Sequence, residues 1–243
     1  MIAARVLFQD RQMQNKYRRQ VSLDGFGAVG QERLSNGVVA LVGVGGVGCA
    51  ALPLLIGAGV GRIMVFDCDI VSLHNLHRQT VYSESEVGRK KAHLSAEKFS
   101  GLNSDVRIEA YDMKITSDSR SSNLLSECDF CIDATDSFQS RLSISSICRA
   151  LKMRLVMASA EGYVSQRICF GGDFYLDDII SDPEAIEEPA KCRSIFPPAA
   201  HLSGVLAASS ALEAIVNPAS YKCGDMLLFD HLNSKFQSCR LVN

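Results

Sequence analysis

Residues 38–48 read Val38-Val39-Ala40-Leu41-Val42-Gly43-Val44-Gly45-Gly46-Val47-Gly48, and this stretch decides the fold. Val38 to Val42 is a β-branched apolar run, too short for a helix, that stops at Gly43; it predicts a buried strand. Gly46 to Gly59 then continues as a helix of small residues. A glycine turn between strand and helix aims backbone amides and the positive helix end at an anion. A β-carbon there would block both the tight turn and the approach of phosphate oxygens. Gly43, Gly45, Gly46 and Gly48 therefore read as a phosphate cradle, the plainer alternative being a turn that allows close helix packing.

Outward from this turn the same alternation repeats. Arg62 to Asp67 is a second apolar strand, Glu86 to Leu102 an amphipathic helix, and Val106 to Ala110, Asp129 to Ala134 and Arg154 to Ala158 are further strands, with a helix from about Phe138 to Leu151 before the last. Strands alternating with helices predict β-α-β units and a doubly wound, mostly parallel α/β sheet of Rossmann type. After Gly162 the pattern changes. Tyr163 to Phe170 reads as a strand, 171–200 as a long acidic, proline-bearing loop of functional or mobile character, and Leu202 to Val216 as a helix. Met226 to Asp230 and Phe236 to Leu241 flank a turn as a C-terminal antiparallel hairpin. We expect one domain, divided into an N-terminal helical arm (1–36), a nucleotide-binding core (37–160) and a C-terminal half (161–243) that holds the loop 171–200.

Composition bounds the function. The chain has 243 residues, of which 47% are hydrophobic, enough for one large core. A net charge of -2 gives no global pull toward nucleic acid or anionic membrane, so any partner is recognised locally. No apolar run reads as long enough to span a bilayer, the N-terminus lacks an apolar signal-peptide centre, and the expected location is cytoplasmic. The nine cysteines read as scattered singles, which argues against a disulfide framework.

The acidic partner of the glycine turn is Asp67, at the end of the next strand, where it can accept hydrogen bonds from ribose hydroxyls; Asp69 is the alternative. Beyond it, Asp69-Ile70-Val71-Ser72-Leu73-His74-Asn75-Leu76-His77-Arg78-Gln79 and then Gly88-Arg89-Lys90-Lys91 place cations and amides beside the cradle. Hydride transfer asks for no such cluster, because a bound nicotinamide cofactor keeps its phosphates. Adenylation does: a carboxylate attacks the α-phosphate, pyrophosphate leaves, and cations must neutralise the charge that builds on the leaving oxygens. Arg78 and one of the lysines fit that role, with Asn75 and Gln79 as positioners. Asp133-Ala134-Thr135-Asp136 closes the fourth strand at the edge where ligands bind in open α/β sheets. Asp136 is a candidate Mg²⁺ ligand or the N-cap of the next helix.

These segments resemble the ThiF/MoeB/HesA adenylyltransferases, bacterial relatives of the ubiquitin-activating enzymes. The resemblance runs over Tyr17-Arg18-Arg19-Gln20, the Gly43–Gly48 turn, Asp67 to Asp69, Ser72 to Gln79, Val87 to Lys91, Ala134 to Ser137 with Arg141, and Ala211 to Ile215. It implies an ATP-dependent acyl-adenylate on the C-terminal glycine of a small ubiquitin-like sulfur carrier, formed in a homodimer, with a sulfur donor as a further partner. Asp67 would hold the ribose and Gly45 approach the phosphates. Asn75, Arg78, Gln79 and Lys91 would surround the triphosphate, Asp136 would bind Mg²⁺, and Arg19 would reach the ATP of the other subunit.

Two departures stand out. Relatives commonly carry two C-x-x-C pairs for structural zinc, one in the long loop and one near the C-terminus; here the loop has Gly171-Gly172-Asp173, while Cys223 and Cys239 stand alone, so no zinc is expected. Lys191-Cys192-Arg193-Ser194 aligns with a segment bearing a cysteine implicated in thioester or persulfide chemistry, but its continuation differs. Flanking cations would favour a Cys192 thiolate, while a loop cysteine without a base can equally be inert. His93 and His201 read as structural. Competing functions are adenylation of a ribosomally made peptide or of a modified-tRNA carboxylate, the latter disfavoured by the lack of a broad basic face. From another class come a nicotinamide-dependent dehydrogenase and a non-catalytic nucleotide-binding module.

Overall fold

Val38–Val42 is β1 and sits at the middle of the parallel part of the sheet because its side chains are buried on both faces. The computed structural model describes residues 16–180 and 194–242. The other strands are β2 (Arg62–Phe66), β3 (Arg107–Tyr111), β4 (Phe130–Asp133), β5 (Arg154–Glu161), β6 (Val164–Phe170), β7 (Asp225–Asp230) and β8 (Lys235–Arg240). They form one eight-stranded sheet in the order β3-β2-β1-β4-β5-β6-β7-β8. β3 to β5 pair in parallel through β1, as the α/β reading predicts, and β6, β7 and β8 extend the sheet antiparallel.

The helices are α1 (Arg18–Val21), α2 (Gly27–Asn36), α3 (Gly46–Ala58), α4 (Lys91–Phe99), α5 (Ser119–Leu125), α6 (Phe138–Ala150) and α7 (Pro197–Val216). On one face Leu52 and Leu55 of α3 and Ala207 and Ala211 of α7 pack with Val39 and Leu41. On the other, Ile144 and Ile147 of α6 meet Ala40, Val42, Met64 and Phe66. α3 ends at Gly59, whose φ of 84° makes the left-handed cap.

Several expectations are corrected. The helix expected from Glu86 begins only at Lys91. Glu84–Glu86 is a separate 3-10 turn closed by a Ser83/Glu86 capping box, and Gly88 follows at φ +91°. The stretch between runs antiparallel to residues 69–71, with Val71 N–H donating to the Arg89 carbonyl at 2.9 Å and Gly88 N–H to the Val71 carbonyl at 2.9 Å. α5 was not anticipated; Asp118 caps it by accepting from the Ser121 N–H. α7 starts at Pro197, five residues before the expected Leu202, because proline suits a first helical turn. At 20 residues and mean hydropathy 1.4, α7 is also long and apolar enough to cross a membrane by length and composition, against the sequence reading; here half of that window is buried and the helix packs on α3 and the sheet.

The N-terminal arm is tied to the core. Tyr17 is 3% exposed, its hydroxyl accepts from Asn103 Nδ2 at 2.7 Å, and Gln20 donates to the Ala58 carbonyl at 2.8 Å. The cysteines are not all single, since Cys128-Asp129-Phe130-Cys131 has C-x-x-C spacing. Cys131 is buried in β4, and Cys128 Sγ lies 3.5 Å from Met64 Sδ with its thiol pushed up to about 12 by burial. Both pack as apolar side chains.

Candidate active site

The strand order reverses between β1 and β4, and the loops leaving these two strands meet there. Gly43 has φ +92°, and a β-carbon on it would lie 2.8 Å from the Ala134 carbonyl oxygen. On Gly48 it would lie 2.0 Å from the Gly43 carbonyl oxygen, so alanine cannot replace it without opening the turn. On Gly46 it would press on Ala200 Cβ at 3.0 Å and Arg78 Cγ at 3.2 Å, and on Gly45 it would touch Gln79 Nε2 at 3.5 Å. Gly45 is the N-cap of α3 and no side chain caps it. The helix thus presents its amide end beside Arg78 and Gln79.

Asp67 braces the cradle. Its Oδ2 accepts from the Val44 N–H at 2.8 Å and its Oδ1 from the Asp69 N–H at 2.8 Å. Burial raises its carboxyl above the ordinary range, opposed by the nearby Lys91 charge and these two amides. Lys91 is 3% exposed and pairs through Nζ with Asp69 Oδ2 at 2.9 Å, while Asp69 itself is exposed. The antiparallel pairing of 69–71 with 88–91 delivers this cation, since Lys91 N–H donates to the Asp69 carbonyl at 3.1 Å.

Arg78 lies in a turn. Its guanidinium donates to Asn75 Oδ1 at 3.0 Å and contacts His77 Nε2 at 2.8 Å. Gln79 is 3% exposed and its Oε1 has no hydrogen-bond partner among the described residues. The side-chain amide that sits beside Gly45 thus keeps a buried oxygen suited to a ligand that brings hydrogen-bond donors, and a cradle that β-carbons would fill suits phosphate, so the residues present fit ATP.

At the end of β4, Asp133 is 1% exposed. Its Oδ1 accepts from the Thr135 N–H at 2.9 Å and the Thr135 hydroxyl at 2.6 Å, whereas its buried Oδ2 has no partner among the described residues. Burial raises this carboxyl too, against the pull of Arg141. Arg141 donates to the Thr135 carbonyl at 2.6 Å and so holds the loop in shape. Asp136 is exposed, and the cap of α6 is Ser137, not Asp136. Among the described residues no group of three or more His, Cys, Asp or Glu side chains is arranged as a metal cage. One exposed carboxylate fits Mg²⁺, which keeps several waters and binds through one or two carboxylates plus substrate phosphates.

The structure thus brings together Gly43, Gly45, Gly46, Gly48, Asp67, Asp69, Asn75, Arg78, Gln79 and Lys91, with Asp136 on the adjoining β4 loop. It does not bring Arg19 to them. α1 is tied to Ala58 at the far end of α3, roughly 20 Å along that helix from Gly46 at 1.5 Å per residue, and Arg19 is exposed. Cys192 lies outside the described residues.

Sequence reasoning missed two contributors. Tyr82, 6% exposed, donates its hydroxyl to the Val44 carbonyl at 2.9 Å, so Val44 is held by Asp67 on one side and Tyr82 on the other. His201, read as structural, reaches the Arg78 carbonyl at 2.9 Å. A buried tyrosine has to find a partner for its hydroxyl, a general signal that does not name the partner.

The ThiF family pattern matches residues 17–243. Over 232 residues the chain is 35% identical to the "Adenylyltransferase and sulfurtransferase MOCS3" of Anopheles gambiae, covering 93% of this chain and 52% of that protein. It therefore spans about half the length of the curated relatives of that kind. It is 32% identical to the "Sulfur carrier protein adenylyltransferase" of Thermus thermophilus, covering 92% of this chain and 85% of the other. Among solved structures, Escherichia coli MccB shares the fold with a TM-score of 0.79 at 18% identity, over 93% of this chain and 69% of that one. On the family match and the Thermus thermophilus relative, with the cradle and its basic loop in place, the chain belongs to the ThiF family.

Proposed function

We propose that this chain uses ATP to adenylate the C-terminal carboxylate of a small ubiquitin-like sulfur-carrier protein ending in Gly-Gly, preparing it for sulfur transfer. The observation that carries this reading is the packing of Arg78 and Gln79 on Gly46 and Gly45, with buried Lys91 behind Asp67 and Asp69. Cations set against a phosphate cradle bind phosphate, and where pyrophosphate leaves they also neutralise the charge that builds on it. In the reaction a carboxylate oxygen of the carrier bonds to the α-phosphorus, and the bond from that phosphorus to the oxygen bridging to the β-phosphate breaks. The electron pair departs on pyrophosphate, and no proton moves.

Each residue has a role in that step. The α3 amide end and Gly45 hold phosphate oxygens, and Asp67 accepts from the ribose hydroxyls while bracing Val44. Arg78 and Lys91 neutralise charge on the leaving pyrophosphate, which requires Lys91 to trade Asp69 for phosphate oxygen. Asn75 and Gln79 orient these groups. Asp136 would hold Mg²⁺, which when bound supplies further neutralisation of the phosphates.

Arg19 completes the site of a second copy, making the active unit a homodimer; its distance from its own cradle supports this. The C-terminal half offers the carrier an aromatic run, Tyr163, Phe196, His231, Phe229 and Phe236 in successive contact, with Phe236 56% exposed. The working site is cytoplasmic, no structural zinc is used, and Cys192 is available for, but not required by, adenylation. A peptide carboxyl group is the second reading of the substrate; the solved structures that share this fold include Escherichia coli MccB together with MccA.

The test is exchange of labelled pyrophosphate into ATP by the purified chain, with and without carriers ending in Gly-Gly. Carrier-dependent exchange is expected. Exchange with a peptide but with no carrier favours the second reading, and tight NAD binding without exchange overturns both.

A further inference from the structure

His201 stands outside the residues given a role above, yet it makes a direct bond between the C-terminal half of the molecule and the cationic loop. Its Nε2 lies 2.9 Å from the Arg78 carbonyl oxygen, a contact across 123 positions of sequence. A carbonyl oxygen can only accept, so Nε2 carries the proton and the imidazole donates. The surrounding packing makes this bond consequential. Ala200, the residue before His201, is fully buried, and a β-carbon on Gly46 would lie 3.0 Å from its Cβ and 3.2 and 3.3 Å from Arg78 Cγ and Cδ. The first turns of α7, the glycine turn and the Arg78 side chain therefore meet at one junction.

Arg78 itself belongs to no regular element. Its N–H donates to the Asn75 carbonyl at 3.1 Å, a turn contact within its own loop. The Arg78 carbonyl is anchored to α7 through His201, while four residues on, Tyr82 ties the same segment to the Val44 carbonyl. α7 is in turn fixed to the sheet: the Ser203 hydroxyl donates to the Ser159 carbonyl of β5 at 2.7 Å, and the Ser165 hydroxyl of β6 to the Ala199 carbonyl at 2.9 Å. Gly204 lets the same helix close on α3, since a β-carbon there would lie 2.2 Å from the Val47 carbonyl oxygen.

We infer that His201 is a positioning residue for adenylation: by donating Nε2–H to the Arg78 carbonyl it fixes the Arg78 backbone against α7, so that the Arg78 methylenes lie on Gly46 and the guanidinium is held at the leaving pyrophosphate. It touches no reacting atom and acts through Arg78. The catalytic consequence rests on the adenylation reading; the structural bond does not. A displacement of about an ångström in a charge-neutralising group costs up to roughly a hundredfold in rate. Glutamine can place an amide N–H close to where imidazole Nε2–H stands, so it is the conservative replacement.

Two measurements separate the layers. Amide hydrogen exchange of the segment 75–82 is read in the wild-type chain, His201→Ala and His201→Gln, with the segment 164–170 as the control for global unfolding. Pyrophosphate exchange is read in the same proteins and in the Arg78→Ala background. Expected are faster amide exchange of 75–82 in His201→Ala alone and a fall of about tenfold to a hundredfold in its turnover, with a smaller change in KM for ATP. His201→Gln recovers both, and His201→Ala adds no further loss once Arg78 is alanine. Unchanged protection of 75–82 in His201→Ala overturns the inference whether or not the chain is active. Normal turnover in His201→Ala, or a full additional loss on top of Arg78→Ala, overturns it as well. Wild-type protein that gives no pyrophosphate exchange sinks the adenylation reading alone, and amide exchange still decides whether His201 holds the loop.

Discussion

Asp67 and Lys91 are coupled through space, and that coupling makes a testable pH dependence. Burial raises the Asp67 carboxyl and the Lys91 charge lowers it. In the proposed role Asp67 accepts a ribose hydroxyl as the carboxylate, so ATP affinity is expected to be present above the Asp67 pKa and to be lost as pH falls through it. Lys91→Met removes the opposing charge, and the pKa rises further. Titration of ATP binding against pH in this variant should show its acid limb displaced to higher pH. At neutral pH, loss of a charge-assisted bond of about 1.5–3 kcal/mol weakens binding roughly tenfold to a hundredfold. An unmoved acid limb would show that Lys91 does not act on Asp67. At this scale much of the site is legible in the sequence, because Asp67, Arg78, Gln79 and Lys91 are chemically unusual beside a glycine turn. Tyr82 and His201 are not legible: each acts on a backbone carbonyl, and nothing in the type or spacing of a side chain says which carbonyl the fold will bring to it.

Among the elements, α3 and α7 set the shape of the cradle. Their backbones approach so closely that Gly204 leaves no room for a methyl group: its β-carbon would meet Val47 O at 2.2 Å and Ala50 Cβ at 2.9 Å. Gly204→Ala should cost about 1–3 kcal/mol in urea unfolding, the usual range for overpacking. The displaced first turn of α3 should also weaken ATP binding. Wild-type stability in this variant would mean that the helices can separate freely. The short apolar runs of β1, β2 and β4 announce these strands, whereas the late start of the helix at Lys91 escapes sequence reading. The charges of residues 89–91 suit a helix, but Gly88 at φ +91° and pairing with 69–71 hold the preceding segment extended. Where relatives were expected to use zinc, the segment after β6 is clasped by Arg149, which pairs with Asp177 at 3.1 Å and with Asp178 and stacks 5.0 Å from the Tyr175 ring centroid. A clasp of this kind depends on tertiary contact and has no local motif.

Across the whole molecule, the reversal of strand order between β1 and β4 puts the cradle, the basic loop and the Asp133–Asp136 loop at one edge, and α3 holds Arg19 away from it. If Arg19 serves the second subunit, Arg19→Ala and Arg78→Ala proteins each keep only a small residual exchange activity, but mixed dimers contain one complete site. Random re-pairing of equal amounts makes half the dimers mixed, so about a quarter of wild-type exchange activity should return. No recovery after verified subunit exchange would place Arg19 outside the partner's site. The fold class was open to sequence reading because alternating strands and helices admit few topologies, whereas the proposed second copy would leave no sign in the sequence beyond the paired cations Arg18 and Arg19. The central claim is that the carrier carboxylate attacks the α-phosphorus of ATP, and heavy-oxygen labelling of that carboxylate tests it most directly. After one turnover and transfer of the acyl group to a thiol, the account predicts one labelled oxygen in AMP; label in inorganic phosphate with ADP as the nucleotide product, or no label in any phosphorus compound, would contradict it.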